Sequence, residues 1–142
     1  MTALAKPRLR GVSHQIAFYV AVVSGVTLVA ALAFSGRTIG AITVYAIFLA
    51  GMFGVSASFH RNDWGPRAFG WWRRADHSMI FACIAGTYTP LCLLALEPPT
   101  STRLLTLAWT GAGLGILRAM FWPGAPRLIT ALLYVAVGWV MV

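Results

Sequence analysis

The sequence predicts an all-α, multi-pass transmembrane helix bundle that forms a single integral-membrane domain over residues 1–142. Of the 142 residues, 59% are hydrophobic and only 10% are charged, whereas soluble domains carry roughly a quarter charged residues. A soluble protein of this size could not bury so much apolar surface in a core. The apolar residues also form five separate runs, most of them near the length of about 20 residues that a helix needs to cross a bilayer.

The first predicted span covers residues 14–34 and follows a basic segment with Lys6, Arg8 and Arg10. The basic start and the small residues at 31–33 are also typical of a signal peptide with its cleavage site. We favour an uncleaved first span, because its apolar region is longer than the usual range of about 7–15 residues and further spans follow.

The next three apolar runs predict spans over residues 39–60, 76–96 and 103–122. Gly111 and Gly115 form a small-xxx-small pattern in the fourth span. Small residues at this spacing let helix backbones approach closely. We therefore expect this face to pack against another helix, and the pattern also allows helix–helix self-association of the chain.

The third span contains Pro90, which lacks an N–H group and clashes with the carbonyl of the residue four positions earlier. That residue is Gly86, whose missing side chain leaves local room. Thr87 and Thr89 are candidates to bond the freed backbone groups. The sequence thus predicts a built-in kink at this point in the helix.

The fifth run covers residues 127–142, and it is short for a span. A helix of this length extends about 24 Å, against a hydrocarbon core of about 30 Å. Ending there would leave the last carbonyls and the carboxylate in or near hydrocarbon, which is costly. We therefore expect an incomplete fifth span and a sequence that is a fragment of a longer protein.

The basic residues predict the orientation of the bundle. If the five spans alternate in direction, all but two of the 11 Lys and Arg residues fall on the side of the N-terminus, the exceptions being Arg37 and Arg103. Cytoplasmic flanks carry the excess of Lys and Arg, so we expect a cell-membrane protein with a cytoplasmic N-terminus and membrane lipids around it. The net charge of +8 does not indicate nucleic-acid binding, because the basic residues lie between apolar runs rather than along one polar face.

The chain has only three acidic residues and three histidines, and three of these six lie at one predicted depth. His14 begins the first span, His60 ends the second and Asp76 begins the third, all at the predicted cytoplasmic side. Ionisable residues at membrane depth are costly and usually face the bundle interior. They are therefore candidate functional residues.

Ser56 and His60 are four positions apart and share a helix face, so the hydroxyl could bond a ligand of the imidazole or orient the ring. Ordinary packing is the alternative for Ser56, and an N-cap of the third helix is the alternative for Asp76. His77 would project about 100° away from Asp76 on a helix, so both are not expected to face one site equally.

Several short motifs follow one another along the chain, and Ile84-Ala-Gly-Thr-Tyr-Thr-Pro90 is the most specific. The others are Arg10-Gly-Val-Ser-His14, Phe53-Gly-Val-Ser-Ala-Ser-Phe-His-Arg61, Asp76-His-Ser-Met-Ile80, Ala125-Pro-Arg127 and Tyr134-x-x-x-Gly138-Trp139. In this order they resemble the bacterial hemolysin III family over the whole chain. That family belongs with the progestin and adipoQ receptors and, more distantly, with the alkaline ceramidases.

The resemblance implies a seven-helix bundle with a cytoplasmic N-terminus and a zinc site. In the family, a Ser-x-x-x-His on the second helix and an Asp on the third combine with a His-x-x-x-His on the last helix. Carried onto this chain, His60 would be a zinc ligand, Asp76 would hold a zinc-bound water and Ser56 would be the accessory hydroxyl. His14 matches a family position to which the resemblance assigns no role.

The sequence departs from the family pattern in one large respect, since it has no His-x-x-x-His and no sixth or seventh span. His60 is thus left without the other expected ligands, and His14 and His77 are not expected to replace them. Taken as it stands, the chain is not expected to bind zinc tightly.

The resemblance leaves an enzyme and a non-catalytic protein as competing functions. Zinc would generate hydroxide near neutral pH, and the full-length protein would then hydrolyse a lipid amide or ester with Asp76 and Ser56 as catalytic residues. The alternative is a non-catalytic membrane protein, either pore-forming and cytolytic or a receptor-like regulator, in which the metal site is structural.

Overall fold

The structure is a computed structural model that describes residues 9–33 and 37–139. Within these ranges it contains five α-helices and no strand, which confirms the predicted all-α fold class. The helices are α1 (Val12–Ala31), α2 (Arg37–Arg61), α3 (Pro66–Ala95), α4 (Thr100–Phe121) and α5 (Arg127–Gly138). The predicted ends of the first and fifth spans, and the basic residues Lys6 and Arg8, lie outside the described residues.

Four of the helices are long and apolar enough to cross a membrane, and α5 is a shorter apolar helix of 12 residues. This agrees with a multi-pass bundle whose fifth element is shorter than the others. The predicted bounds of the second and fourth spans, 39–60 and 103–122, lie within a few residues of α2 and α4.

The third helix differs from its predicted span, because it begins at Pro66 rather than at residue 76. Residues 66–75, an Arg- and Trp-rich segment between the predicted second and third spans, are therefore helical, and only a short turn at 62–65 separates α2 from α3. Pro66 at the first helical position favours this early start. A helix of 30 residues extends about 45 Å, enough to cross the hydrocarbon and continue through the headgroup region. Hydropathy detects only the apolar part of such a helix.

The third helix is also the centre of the bundle. Each of the first four helices packs along its neighbour in sequence, while α5 contacts both α3 and α4. The fully buried side chains Phe81 and Cys92 both lie on α3. Around Phe81, the core consists of Ala85, Ala112 and Val137, which come from α3, α4 and α5.

Large apolar side chains on the outer helices face outward. α1 has a single buried residue, Ala21, while Val20, Val23 and Val26 on the same helix are more than half exposed. The same is true of Leu114 on α4. Exposed apolar surface of this extent suits helices surrounded by lipid rather than water.

Glycines mark the places where helices approach most closely. A Cβ atom at Gly86 would lie 3.0 Å from Cβ of Phe48 on α2, and one at Gly111 would lie 3.1 Å from Val137 on α5. Gly115 packs in the same way against the ring of Phe81. The small-xxx-small pattern of α4 is thus used for packing within the chain, while self-association stays a prediction.

The helix α3 continues without interruption through Pro90. Thr87 donates a hydrogen bond to the carbonyl of Ile84 at 2.6 Å, and Thr89 donates to that of Ala85 at 3.1 Å. Neither threonine bonds Gly86, the carbonyl that Pro90 leaves free. The two hydroxyls therefore bond backbone carbonyls next to Gly86 but not that of Gly86 itself, and the kink stays a prediction.

Candidate functional site

The antiparallel order of the helices brings the rare polar residues to one end of the bundle. The start of α1, the end of α2 and the first half of α3 meet there with the end of α4 and the start of α5. The polar side chains form two neighbouring groups. One lies between α1 and α2, and the other lines a cleft between α3, α4 and α5.

The first group joins His14 of α1 to Ser56 of α2. The Nδ1 atom of His14 lies 2.6 Å from the Oγ atom of Ser56, and Ser56 is buried. The edge of the His14 ring also faces Phe53, with ring centroids 6.0 Å apart. Ser56 is thus held by His14 rather than by His60, its neighbour one turn along the same helix. The depth of His14 was predictable from the sequence, but its pairing with Ser56 was not.

His60 lies beside this pair at the end of α2. Its ring centroid is 6.1 Å from that of His14, and the Nε atom of Arg10 donates a hydrogen bond to Nδ1 of His60 at 3.3 Å. Gly11, which precedes α1 with a φ of 75°, packs directly on the Cβ atom of His60. The short segment before α1 therefore covers one side of the imidazole.

Asp76 belongs to the second group and lies well inside α3, whose N-cap is Gly65. The alternative that Asp76 caps the third helix is therefore wrong, and the reason is the early start at Pro66. Only 14% of the Asp76 side chain is exposed, and its Oδ2 atom lies 3.8 Å from Nδ1 of His77. His77 is more exposed and donates from Nδ1 to the backbone carbonyl of Arg73 at 2.8 Å.

The cleft that Asp76 lines has a volume of about 440 Å³. Its polar side chains come from three helices and include four arginines. The lining residues are Arg73, Arg74, Asp76, His77, Ile80, Arg118, Ala119, Pro123, Ala125, Arg127, Thr130, Ala131 and Tyr134. Tyr134 closes the inner wall, since its hydroxyl donates to the carbonyl of His77 at 3.2 Å and its ring packs on Phe81. This grouping of arginines was not predicted from the sequence, because it becomes visible only when α4 and α5 are placed beside α3.

The two groups interact electrostatically. Asp76 acts on His60, as do Arg10, His14 and His77. No hydrogen bond or salt bridge joins Asp76 to His60 among the described residues. The structure therefore places the three predicted site residues at one end of the bundle, with Ser56 and His60 in the first group and Asp76 in the second.

The described residues do not form a complete zinc site. Among residues 9–33 and 37–139, no group of three His, Cys, Asp or Glu side chains is arranged to hold a metal ion. The Nδ1 atom of His60 already accepts a hydrogen bond from Arg10, so in the neutral ring Nε2 carries the proton. A zinc ligand needs an unprotonated ring nitrogen, which would require Arg10 to move away from His60.

The chain shares sequence with a known protein family and with individual proteins. The chain matches the family model described as Haemolysin-III related over residues 2–142. It is 39% identical over 67 residues to Hemolysin-3 of Bacillus cereus, a stretch that covers 47% of this chain and 31% of that protein. It is 37% identical over 67 residues to the Hemolysin-3 homolog of Bacillus subtilis (strain 168), covering 47% of this chain and 32% of that protein. The matched stretch thus spans about a third of each relative. No solved structure matches the chain significantly.

Proposed function

The chain belongs to the haemolysin-III-related family. From this premise we propose that the protein hydrolyses a lipid amide or ester at the cytoplasmic surface of the cell membrane. Zinc is the cofactor that the resemblance implies for the family. His60 would supply one ligand, and the described residues do not supply a group of three that would complete the site.

One observation carries the proposal, and it is the position of Asp76. The carboxylate lies inside a membrane helix and is 14% exposed, yet it lines an open cleft and acts electrostatically on His60. A carboxylate in this setting is costly to keep, and such residues are by default candidates for function rather than for stability. Asp76 would accept a proton from a water molecule that attacks the lipid carbonyl, and it would return this proton to the amine or alkoxide that leaves when the C–N or C–O bond breaks.

Ser56 would stabilise the negative charge that develops on the carbonyl oxygen. When Nδ1 of His14 carries the ring proton, it donates to Oγ of Ser56 across the 2.6 Å contact and leaves the hydroxyl hydrogen free. A hydroxyl held in this way is a preorganised donor of the kind that stabilises oxyanions. His14 would therefore act as a positioning residue for Ser56.

The test is to reconstitute the protein in liposomes and to follow release of fatty acid from a ceramide or an acyl ester. Asp76→Asn keeps the shape of the side chain but removes the proton acceptor, and we expect release to fall at least about 100-fold. Glu97→Gln is the matched control, because Glu97 lies between α3 and α4 at the opposite end of the bundle. Equal release from the Asp76→Asn protein and the unmodified protein would exclude Asp76 as the base.

Two further measurements on the same samples address zinc. The zinc content per protein molecule is measured for the unmodified protein and for His60→Ala. A lower ratio in the variant supports His60 as a ligand, while an unchanged ratio removes it from the metal site.

A non-catalytic membrane protein is the second candidate function. The observation that favours it is the lack of a three-ligand metal group among the described residues, and the two Bacillus relatives carry the name hemolysin. Dye leakage from the same liposomes distinguishes the two functions. Leakage that persists after chelation and in His60→Ala, with no fatty acid released, would favour a pore-forming protein over a hydrolase.

A further inference from the structure

We propose that the cleft between α3, α4 and α5 binds the phosphate group of an anionic phospholipid. The proposal does not depend on hydrolysis or on zinc. It concerns four arginines, Arg73, Arg74, Arg118 and Arg127, which line one cleft of about 440 Å³ together with a single carboxylate, that of Asp76.

The side chains that line the cleft carry an excess of positive charge. None of the four guanidinium groups forms a salt bridge or a side-chain hydrogen bond with another described residue, and the carboxylate of Asp76 pairs only with His77. Like charges gathered in one concave site repel one another and lose hydration. An anion that enters the cleft would therefore be attracted by several guanidinium groups at once.

Two of the arginines indicate a bound anion more specifically. The Nε atoms of Arg74 and Arg118 are buried and have no hydrogen-bond partner among the described residues. Buried polar groups in proteins are nearly always paired, and each exception calls for an explanation such as a bound ion. The guanidinium of Arg74 is also held by a cation–π contact with Trp71, 4.9 Å from the ring centroid. Both side chains thus line the cleft with a buried and unused Nε donor, and that of Arg74 is also held in place by Trp71.

Phosphate fits these donors better than a carboxylate does. Guanidinium groups form bidentate, charge-assisted hydrogen bonds with phosphate oxygens, and a phosphate offers enough oxygens for more than one arginine. The helix α5 begins at Arg127 without a side-chain cap, so its positive dipole end adds to the attraction. Asp76 and His77 also line the cleft, and the repulsion from Asp76 favours binding of the phosphate nearer to the arginines.

The surroundings of the cleft favour a lipid as the source of the phosphate. Three of its lining residues, Ile80, Ala131 and Tyr134, follow the polar lining residues of α3 and α5 along those helices toward the apolar part of the bundle. On α5, which supplies Arg127 and Thr130, the side chains of Leu128 and Leu132 are more than half exposed. Basic pockets between transmembrane helices at the membrane surface are sites where anionic headgroups bind.

The experiment measures binding of dioctanoyl phosphatidylglycerol to the purified protein in a non-ionic detergent by titration calorimetry. The test variant is Arg73→Gln with Arg127→Gln, since both side chains are exposed and line the cleft. The control is Arg61→Gln with Arg67→Gln, which removes the same charge from exposed residues at the same end of the bundle but outside the cleft. Both variants are checked for an unchanged circular dichroism spectrum.

We expect the test variant to bind the lipid at least about tenfold more weakly, because two charge-assisted contacts are lost, and the control to change affinity less than twofold. Dioctanoyl phosphatidylcholine, whose headgroup has no net charge, should bind at least tenfold more weakly than phosphatidylglycerol to the unmodified protein. Equal losses in the two variants would reduce the effect to general surface charge and overturn the proposal. Inorganic phosphate that binds as tightly as phosphatidylglycerol would overturn the assignment to a lipid.

Discussion

The imidazole of His14 and the hydroxyl of Ser56 lie 2.6 Å apart although the residues are 42 positions apart in the chain. This pair joins α1 to α2, and α1 packs on no other helix of the described bundle. The pair therefore has two consequences, since it fixes the Ser56 hydroxyl at the candidate site and anchors the outermost helix.

The first prediction concerns the strength of this pair. His14→Phe and Ser56→Ala should each destabilise the protein by about 1 kcal/mol, and the double variant should lose less than the sum of the two. The expected coupling is about 0.6 kcal/mol, the average for hydrogen bonds between membrane helices, and at most about 1.7 kcal/mol. Unfolding in mixed detergent micelles measures it. His14→Phe combined with Ser101→Ala, a buried serine on α4, should instead be additive.

The second prediction concerns the contact between α3 and α4 at Gly115. A methyl group at Gly115 would overlap the ring of Phe81, which is fully buried and has no room to move. Gly115→Ala should therefore cost about 1 to 3 kcal/mol of unfolding free energy. Gly113→Ala is the matched control on the same helix, because nothing lies within 4 Å of its added Cβ. Equal stability of the two variants would contradict the close approach of the helices.

The third prediction concerns the turn that covers His60. Gly11 has a φ of 75°, and a Cβ atom there would lie 2.8 Å from Cβ of His60. Gly11→Ala combines left-handed backbone strain of about 1–2 kcal/mol with a steric clash, so we expect a loss of at least that size in thermal unfolding. Gly124→Ala is the control, because Gly124 lies in the turn between α4 and α5 without a positive φ and has open space around its added Cβ, so this variant should leave stability nearly unchanged.

The fourth prediction concerns a buried polar contact in the middle of the bundle. The indole N–H of Trp109 donates to Oγ1 of Thr89 at 3.2 Å, and Thr89 is buried. Thr89→Val keeps the shape but leaves the indole without an acceptor, which should cost about 1 to 2 kcal/mol. Thr110→Val is the control, since that hydroxyl is exposed and bonds only carbonyls of its own helix. A measurement that shows no difference between them would exclude a role for this hydrogen bond.

The fifth prediction concerns orientation in the membrane. Single cysteines at Gly65 and Thr100, both exposed, lie in or beside turns at opposite ends of the bundle. In intact cells a membrane-impermeant maleimide should label the cysteine at position 100 and reach position 65 only after lysis, since we expect the basic end to face the cytoplasm. The native Cys83 and Cys92 are buried and should contribute little background. The reverse labelling pattern would invert the predicted topology.

Much of the fold was predictable because lipid imposes simple rules on sequence. Apolar runs of sufficient length must become helices, since their backbone groups have no other partners in hydrocarbon. The start of α3 was not predictable from hydropathy, because the segment from Pro66 to Asp76 is helical yet rich in Arg and Trp. Because α3 begins at Pro66, Asp76 lies inside the helix and not at its N-cap.

The sequence by itself determined the class of the protein and the depth of its rare polar residues, because both follow from the order of apolar and charged residues along the chain. Only the tertiary structure decided which side chains meet. It pairs Ser56 with His14 rather than with His60, and it gathers arginines from three helices around one cleft with Asp76. Such contacts depend on the rotation of each helix about its axis. That rotation is set by close packing at positions such as Gly86, Gly111 and Gly115, and not by hydrophobic periodicity.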